Sequence, residues 1–209
     1  MKALLIATSL CVAQLGAAEK GFTPLFNGKD LSGWQGIEGP TTNWVAKDGI
    51  LSCTGKKGSQ WIATKKEFSN FDLRLEYKIP TDGNSGVFIR APKDGNPWVT
   101  GLEIQVLDDY GPKWKDLKPD QFTAAIYAVQ PPSERATKKA GEWQTLRILC
   151  AGSKCRVWIN SKQVIKANLA KLAEKVKNVP GLKRTGGFIG LQNHSSPVFY
   201  SNIRIKELK

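Results

Sequence analysis

Asn84-Ser-Gly-Val-Phe-Ile-Arg-Ala-Pro-Lys-Asp-Gly-Asn-Pro-Trp-Val-Thr-Gly-Leu-Glu-Ile-Gln-Val-Leu-Asp-Asp109 reads as two β-patterned runs, 86–90 and 102–107. A loop with two prolines, two glycines and one tryptophan joins them. Successive side chains of a strand face opposite ways, so each run divides into two faces. Val87 and Ile89 share one face of the first run, and Phe88 and Arg90 the other. In the second run Ile104 and Val106 lie opposite Glu103 and Gln105. Each strand offers an aliphatic face to a core and a polar or aromatic face to something else. Ionisable groups on a sheet face imply that the face is wet, so a polar sheet surface holding a polar ligand is expected.

The rest of the chain repeats the β rhythm. Phe71, Leu73, Leu75, Tyr77 and Ile79 alternate without a break with Asp72, Arg74, Glu76 and Lys78, the period of a half-buried strand. Shorter runs at 44–45, 49–53, 61–63, 187–192 and 198–207 are separated by Gly, Pro and Asp-Gly turns. Only 166–177 departs, with Leu169, Leu172 and Val176 at helical spacing before Pro180-Gly181. Many short strands and one short amphipathic helix describe an all-β sandwich or barrel, with tryptophans 34, 44, 61, 143 and 158 expected in the core.

Residues 1–18 read as a secretory leader: Lys2, an apolar run from Ala3 to Leu15, and the small residues Gly16-Ala17-Ala18. The remaining 19–209 suit one domain, expected in the periplasm or outside the cell, with no stable membrane insertion. Loss of Lys2 lowers the formal charge from +13 to +12. The lysines are scattered and the leader points away from nucleic acid, so the charge reads as a basic solvated surface. Cys150 and Cys155 flank Ala-Gly-Ser-Lys between two strand-like runs, a spacing that permits a disulfide across a hairpin in an oxidising compartment. Cys53 is left as a buried thiol. One histidine and no Cys-x-x-Cys argue against structural zinc, and no nucleotide or organic cofactor is indicated.

Stacked with 86–90 and 102–107, the strand at Phe188, Gly190 and Gln192 places Phe88, Arg90, Glu103, Gln105 and Gln192 on one surface, with His194 just beyond it. Trp98, Asp108, Asp109, Trp114 and Tyr127 would rim that surface. Carboxylate, guanidinium, amides and aromatic rings suit a small carbohydrate: hydroxyls take polar partners and the C–H face of the ring takes an aromatic. Glu103 and Asp108 suggest the carboxylate pair of a conventional glycosidase. A flat strand, however, sets positions 103 and 108 on opposite faces, roughly 16 Å apart. Hydrolysis needs carboxyls about 5–9.5 Å apart, so only a bulge would rescue that reading. Glu103, His194 and Asp108 are a candidate set for a divalent ion, a weak signal with one histidine.

Phe-Asn-Gly-Lys-Asp-Leu-Ser-Gly-Trp (26–34), Asp-Gly-Ile-Leu (48–51), Asn-Ser-Gly-Val-Phe-Ile-Arg (84–90), Gly-Leu-Glu-Ile-Gln-Val-Leu-Asp-Asp (101–109), Ala-Ile-Tyr (125–127), Gly-Glu-Trp (141–143) and Gly-Leu-Gln-Asn-His (190–194) occur in that order. Together they resemble the 3-keto-disaccharide hydrolase family, also described as 3-keto-glucoside 1,2-lyases and 3-keto-2-hydroxy-glucal hydratases. The resemblance implies a concanavalin A-like jelly roll of two antiparallel sheets with a concave sugar-binding face. It implies elimination: a C3 ketone acidifies the C2 proton, one base removes it, and the enolate expels the C1 oxygen. Glu103, Arg90 and His194 fall among the catalytic roles, with Glu103 or His194 as base and Arg90 or a bound divalent ion stabilising the oxyanion. Asn84, Phe88, Trp98, Gln105, Asp108, Tyr127 and Gln192 would bind the sugar. The chain departs from the family pattern at Ser195, often Gly, and at Ser201, usually Arg. The second departure keeps open a carbohydrate-binding jelly roll without catalysis.

Overall fold

A computed structural model describes residues 19–209, so the expected leader and Cys11 lie outside the described residues. In chain order the strands are β1 (Thr23–Pro24), β2 (Trp34–Ile37), β3 (Trp44–Lys47), β4 (Ile50–Cys53), β5 (Trp61–Phe68), β6 (Phe71–Lys78) and β7 (Asn84–Ala91). Helix α1 (Pro97–Thr100) precedes β8 (Leu102–Leu107), β9 (Gln144–Ala151), β10 (Lys154–Ile159) and β11 (Lys162–Asn168). Helix α2 (Leu169–Lys175), β12 (Gly187–Gln192) and β13 (Val198–Glu207) complete the chain. Two antiparallel sheets result. The larger has the order β11-β10-β9-β6-β13-β4-β3, with β1 added to β13, and the smaller has the order β2-β5-β12-β7-β8.

The alternation of β6 decides the packing. Phe71, Leu73, Leu75 and Tyr77 point inward, against Ile62, Val87, Ile89, Ile104, Val106 and Leu191 of the smaller sheet. All of these are essentially inaccessible to solvent, and each large apolar side chain so buried contributes about 1.5–3 kcal/mol. Trp34 and Trp44 join this core as expected. Trp143 and Trp158 do not: they lie half-buried outside it, beneath Lys78 and Arg147.

The expected helix is shorter than its pattern. Residues 162–168 extend β11, and the Asn168 side chain then accepts the backbone N–H of Ala170 and Lys171, an N-cap that starts the helix only at Leu169. A second helix, α1, was not expected. Pro97 opens it, where a missing N–H costs nothing. Among the described residues no helix is long and apolar enough to cross a membrane. Cys150 and Cys155 face each other across β9 and β10 with 3.7 Å between sulfurs, both as thiols, and Cys53 is a buried thiol.

The segment that positions the site is β7. Phe188 of β12 pairs with Ala91 and Gly190 with Phe88, so Ile89 and Arg90 stand opposite the single residue Ile189. This is a β-bulge, with Arg90 at φ +50°. Pairing of β7 with β8 runs without a shift from Asn84↔Leu107 to Ile89↔Leu102.

Candidate functional site

The outward face of the smaller sheet carries two cross-strand rows. In one, Gln35 of β2, Ala63 of β5, Gly190 of β12, Phe88 of β7 and Glu103 of β8 follow one another. In the next, Ile37, Trp61 and Gln192 follow one another, and Gly86 of β7 pairs with Gln105 of β8. Small residues let the large ones lie flat. A side chain at Gly190 would collide with the Trp61 ring, and one at Gly86 with the Glu103 carboxyl. Trp61 meets Phe88 edge to face, centroids 5.4 Å apart, and Trp98 on α1 packs against them.

Glu103 is 4 % exposed. Burial, with no hydrogen bond to offset it, pushes its carboxyl up to about 8. Other strands of the same sheet carry unpartnered polar atoms. Asn84 Oδ1 and Gln192 Oε1 are buried without a hydrogen-bond partner. Gln105 Oε1 accepts the Val106 N–H at 2.9 Å, which fixes the amide and leaves its NH2 group as the donor end. Tyr127 is held beside Glu103 by its own N–H, which bonds the Glu103 carbonyl at 3.0 Å, and its hydroxyl takes a bond from Gln121.

A cleft of about 620 Å³ opens over this face, lined by Trp61, Phe88, Trp98, Gln192, His194 and the 55–60 loop. His194 is exposed at its mouth. Asn193 pins the loop, its N–H on the Gln60 carbonyl and its amide on that of Lys56. Sequence reasoning assigned Trp61 to the core and passed over Lys56, Lys57 and Gln60. The available signal was Ala63: it shares the Trp61 face and leaves room above it.

Two expected site residues lie elsewhere. Arg90 does not share the Phe88 face, because the bulge adds a residue and turns its side chain away. It is 1 % exposed and donates to the backbone carbonyls of Ser69, Gly152 and Arg184. It lines a separate cleft with Ala173, Leu182 and Lys183. Asp108 lies past the end of β8, and its carboxylate accepts the N–H of Asp82 and of Tyr110. It closes a turn. With the β7–β8 register unbroken, no bulge brings it to the Glu103 side, and the conventional carboxylate pair is not formed. The suggested trio of Glu103, His194 and Asp108 is likewise not assembled: among the described residues no three His, Cys, Asp or Glu side chains cluster as metal ligands. Asp109 is also committed internally, to Thr123 and Thr137.

Both departures from the family pattern have local explanations. Ser195 has φ +59°, a conformation that favours glycine. Ser201 pairs with Glu76 on the outer side of the larger sheet, where its hydroxyl and the Asn202 amide each donate to the Glu76 carboxylate at 3.1 Å. The missing arginine therefore belongs to the opposite face of the molecule from the cleft.

The chain resembles known proteins over nearly all of its described length. Residues 21–206 match the family described as the 3-keto-alpha-glucoside-1,2-lyase-like domain. A 3-keto-disaccharide hydrolase of Bacteroides thetaiotaomicron is 28% identical, over 93% of this chain and 81% of its own. A crystal structure of a Parabacteroides distasonis protein, provisionally described as a glycosyl hydrolase, superposes with a TM-score of 0.77 at 32% identity, covering 90% of this chain and 99% of that one. A carbohydrate-binding module of Bacillus subtilis shares the fold alone, with a TM-score of 0.55 at 15% identity over 86% of this chain and 98% of its own. With nearly its whole described length matched, the chain belongs to the 3-keto-alpha-glucoside-1,2-lyase-like domain family.

Proposed function

We propose that the protein is an exported enzyme that cleaves 3-keto-glycosides by elimination across C1 and C2. The observation that carries this reading is Glu103, a single buried carboxyl without an internal partner, on a face of unpartnered amides and aromatic rings. Family membership and the Bacteroides relative support the substrate class.

Ionised Glu103 takes the C2 proton, and the C2–H electron pair becomes the C2–C3 enolate. The Gln105 NH2 group, with its orientation already fixed, donates to the developing oxyanion at C3. The enolate then collapses: C1=C2 forms, the C1–O bond breaks, and the departing oxygen takes a proton from His194 at the cleft mouth. Water added across C1=C2 makes the net result hydrolysis. Asn84 Oδ1 and Gln192 Oε1 accept sugar hydroxyls, and the ring rests on Phe88 and Trp61.

The reading is tested by incubating the purified protein with a 3-keto-glucoside and with its unoxidised parent. Aglycone release from the keto sugar alone is expected. Equal release from both would mean direct hydrolysis. Binding of both with release from neither would mean a sugar-binding module. Export is checked separately, by the N-terminal sequence of the protein recovered outside the cytoplasm, expected to begin near Glu19.

A further inference from the structure

In the proposed site the base, Glu103, is the cross-strand neighbour of Phe88, which lines the cleft, and the cleft runs on from Phe88 to His194 and the 55–60 loop. Glu103 is on β8 at the end of its cross-strand row, whereas the cleft extends over β12 and β5 to the 55–60 loop. At about 620 Å³ it lies within the range of about 300–1,000 Å³ typical of small-molecule sites. The ring to be cleaved must place C2 at Glu103. The group it loses therefore occupies the far part, which Trp98, Lys56 and Lys57 help to line.

The chemistry of that far part is one-sided. Lys56 and Lys57 both line the cleft, as do Gln60, Asn193 and His194, and no acidic side chain does. The lysines have no ion-pair partner among the described residues; the acids that hold lysines here, Glu207 and Glu134, pair with Lys66 and Lys162. The loop that carries the two ammonium groups is fixed in place. Gly55, at φ +72°, sits against the backbone of Ser195 and Ser196, leaving no room for a side chain, and the Asn193 amide holds the Lys56 carbonyl at 3.0 Å. Two adjacent cations on a pinned loop, lining together with an indole a cleft that has no acidic side chain in its wall, select a negative charge on a flat or apolar body.

Taking the elimination reading as its basis, we infer that the leaving group is an aromatic aglycone bearing a carboxylate, seated against Trp98 with its charge between Lys56 and Lys57. These are specificity-determining residues, remote from the bonds that change.

The test compares two 3-keto-glucosides that differ only in charge, one with a 4-carboxyphenyl aglycone and one with the corresponding methyl ester. The expected kcat/KM favours the carboxylate about tenfold at low salt, the sum of two exposed ion pairs. The preference should collapse near about 1 M salt, where the screening length is about 3 Å. In K56Q/K57Q the preference for the carboxylate over the ester should vanish. Equal rates for the two substrates in the unmodified protein, or a preference that survives K56Q/K57Q, would overturn the inference. If neither keto-glucoside is turned over, the elimination reading fails. The charge preference is then read from tryptophan fluorescence on binding of the two unoxidised glucosides, and equal affinity would overturn it there too.

Discussion

At the scale of single residues, Glu103 is a group placed for chemistry at a cost in stability. Its carboxyl ionises near 4.5 in an unfolded chain and near 8 when buried. Between these values the unfolded state has lost the proton and the folded state keeps it, so stability falls as pH rises from about 4.5 to about 8. At pH 7 the loss is about 3 kcal/mol. Glu103→Gln should therefore raise the melting temperature at pH 7–8, with little change near pH 4, while lowering kcat about 10³-fold. A destabilised variant would contradict the burial argument. Because the base acts when ionised, kcat/KM should climb with pH and level off above about 8; a profile falling through that range would make Glu103 an acid instead. Glu103, Gln105 and Gln192 were legible in the sequence because strict alternation puts them opposite Ile104, Val106 and Leu191. Trp61 was not, because an aromatic residue looks the same in sequence whether it faces the inner core or a cleft floor.

At the scale of elements the decisive feature is the bulge in β7. Alternation predicts that Arg90 follows Phe88 onto the cleft face, and one extra residue reverses that. A bulge is set by register with the partner strand, here Ile189, so no reading of 84–91 alone could reveal it. Freed from the cleft, the Arg90 guanidinium ties together the β5–β6 turn, the β9–β10 turn and the segment before β12 through carbonyls of Ser69, Gly152 and Arg184. Arg90→Met should strip buried carbonyls of their donors and cost about 3–5 kcal/mol, seen as a lower denaturation midpoint. The folded fraction should keep its kcat. A stable variant with abolished turnover would return Arg90 to the catalytic roles. The 193–196 segment offers a smaller test: Ser195→Gly relieves a left-handed serine and should be neutral or stabilising by up to about 1 kcal/mol in thermal unfolding, with activity intact. A clear loss of stability would mean that the Ser195 side chain holds the segment by more than its backbone.

At the scale of the whole molecule buried carboxyls pull stability in opposite directions with pH, Glu103 and Asp109 raised by burial and Asp72 lowered. Asp72 loses by burial but gains more from Arg74 and Arg147, whose guanidiniums hold it below the usual carboxylate range. Its contribution is present above the unfolded value near 3.8 and is lost as pH falls through the lower folded value. Glu103 subtracts from about 4.5 upward. Stability measured by denaturant across pH should thus peak in the weakly acidic range. Asp72→Asn should make the rising acid limb shallower, with Asp30 still contributing to it, and Glu103→Gln the falling one, with Asp109 still contributing. A curve that keeps its shape in both variants would contradict this assignment. The sandwich itself was legible because Phe71–Ile79 alternates over its full length. The order of strands was not, since partners such as β6 and β13 are more than a hundred residues apart in the chain. Removal of the C2 proton can be read directly. The cleavage of a 3-keto-glucoside is run in deuterium oxide, and C2 of the released sugar is compared with C2 of the recovered substrate. Elimination followed by hydration predicts deuterium at C2 of the product; a product that retains its original C2 hydrogen would contradict the account.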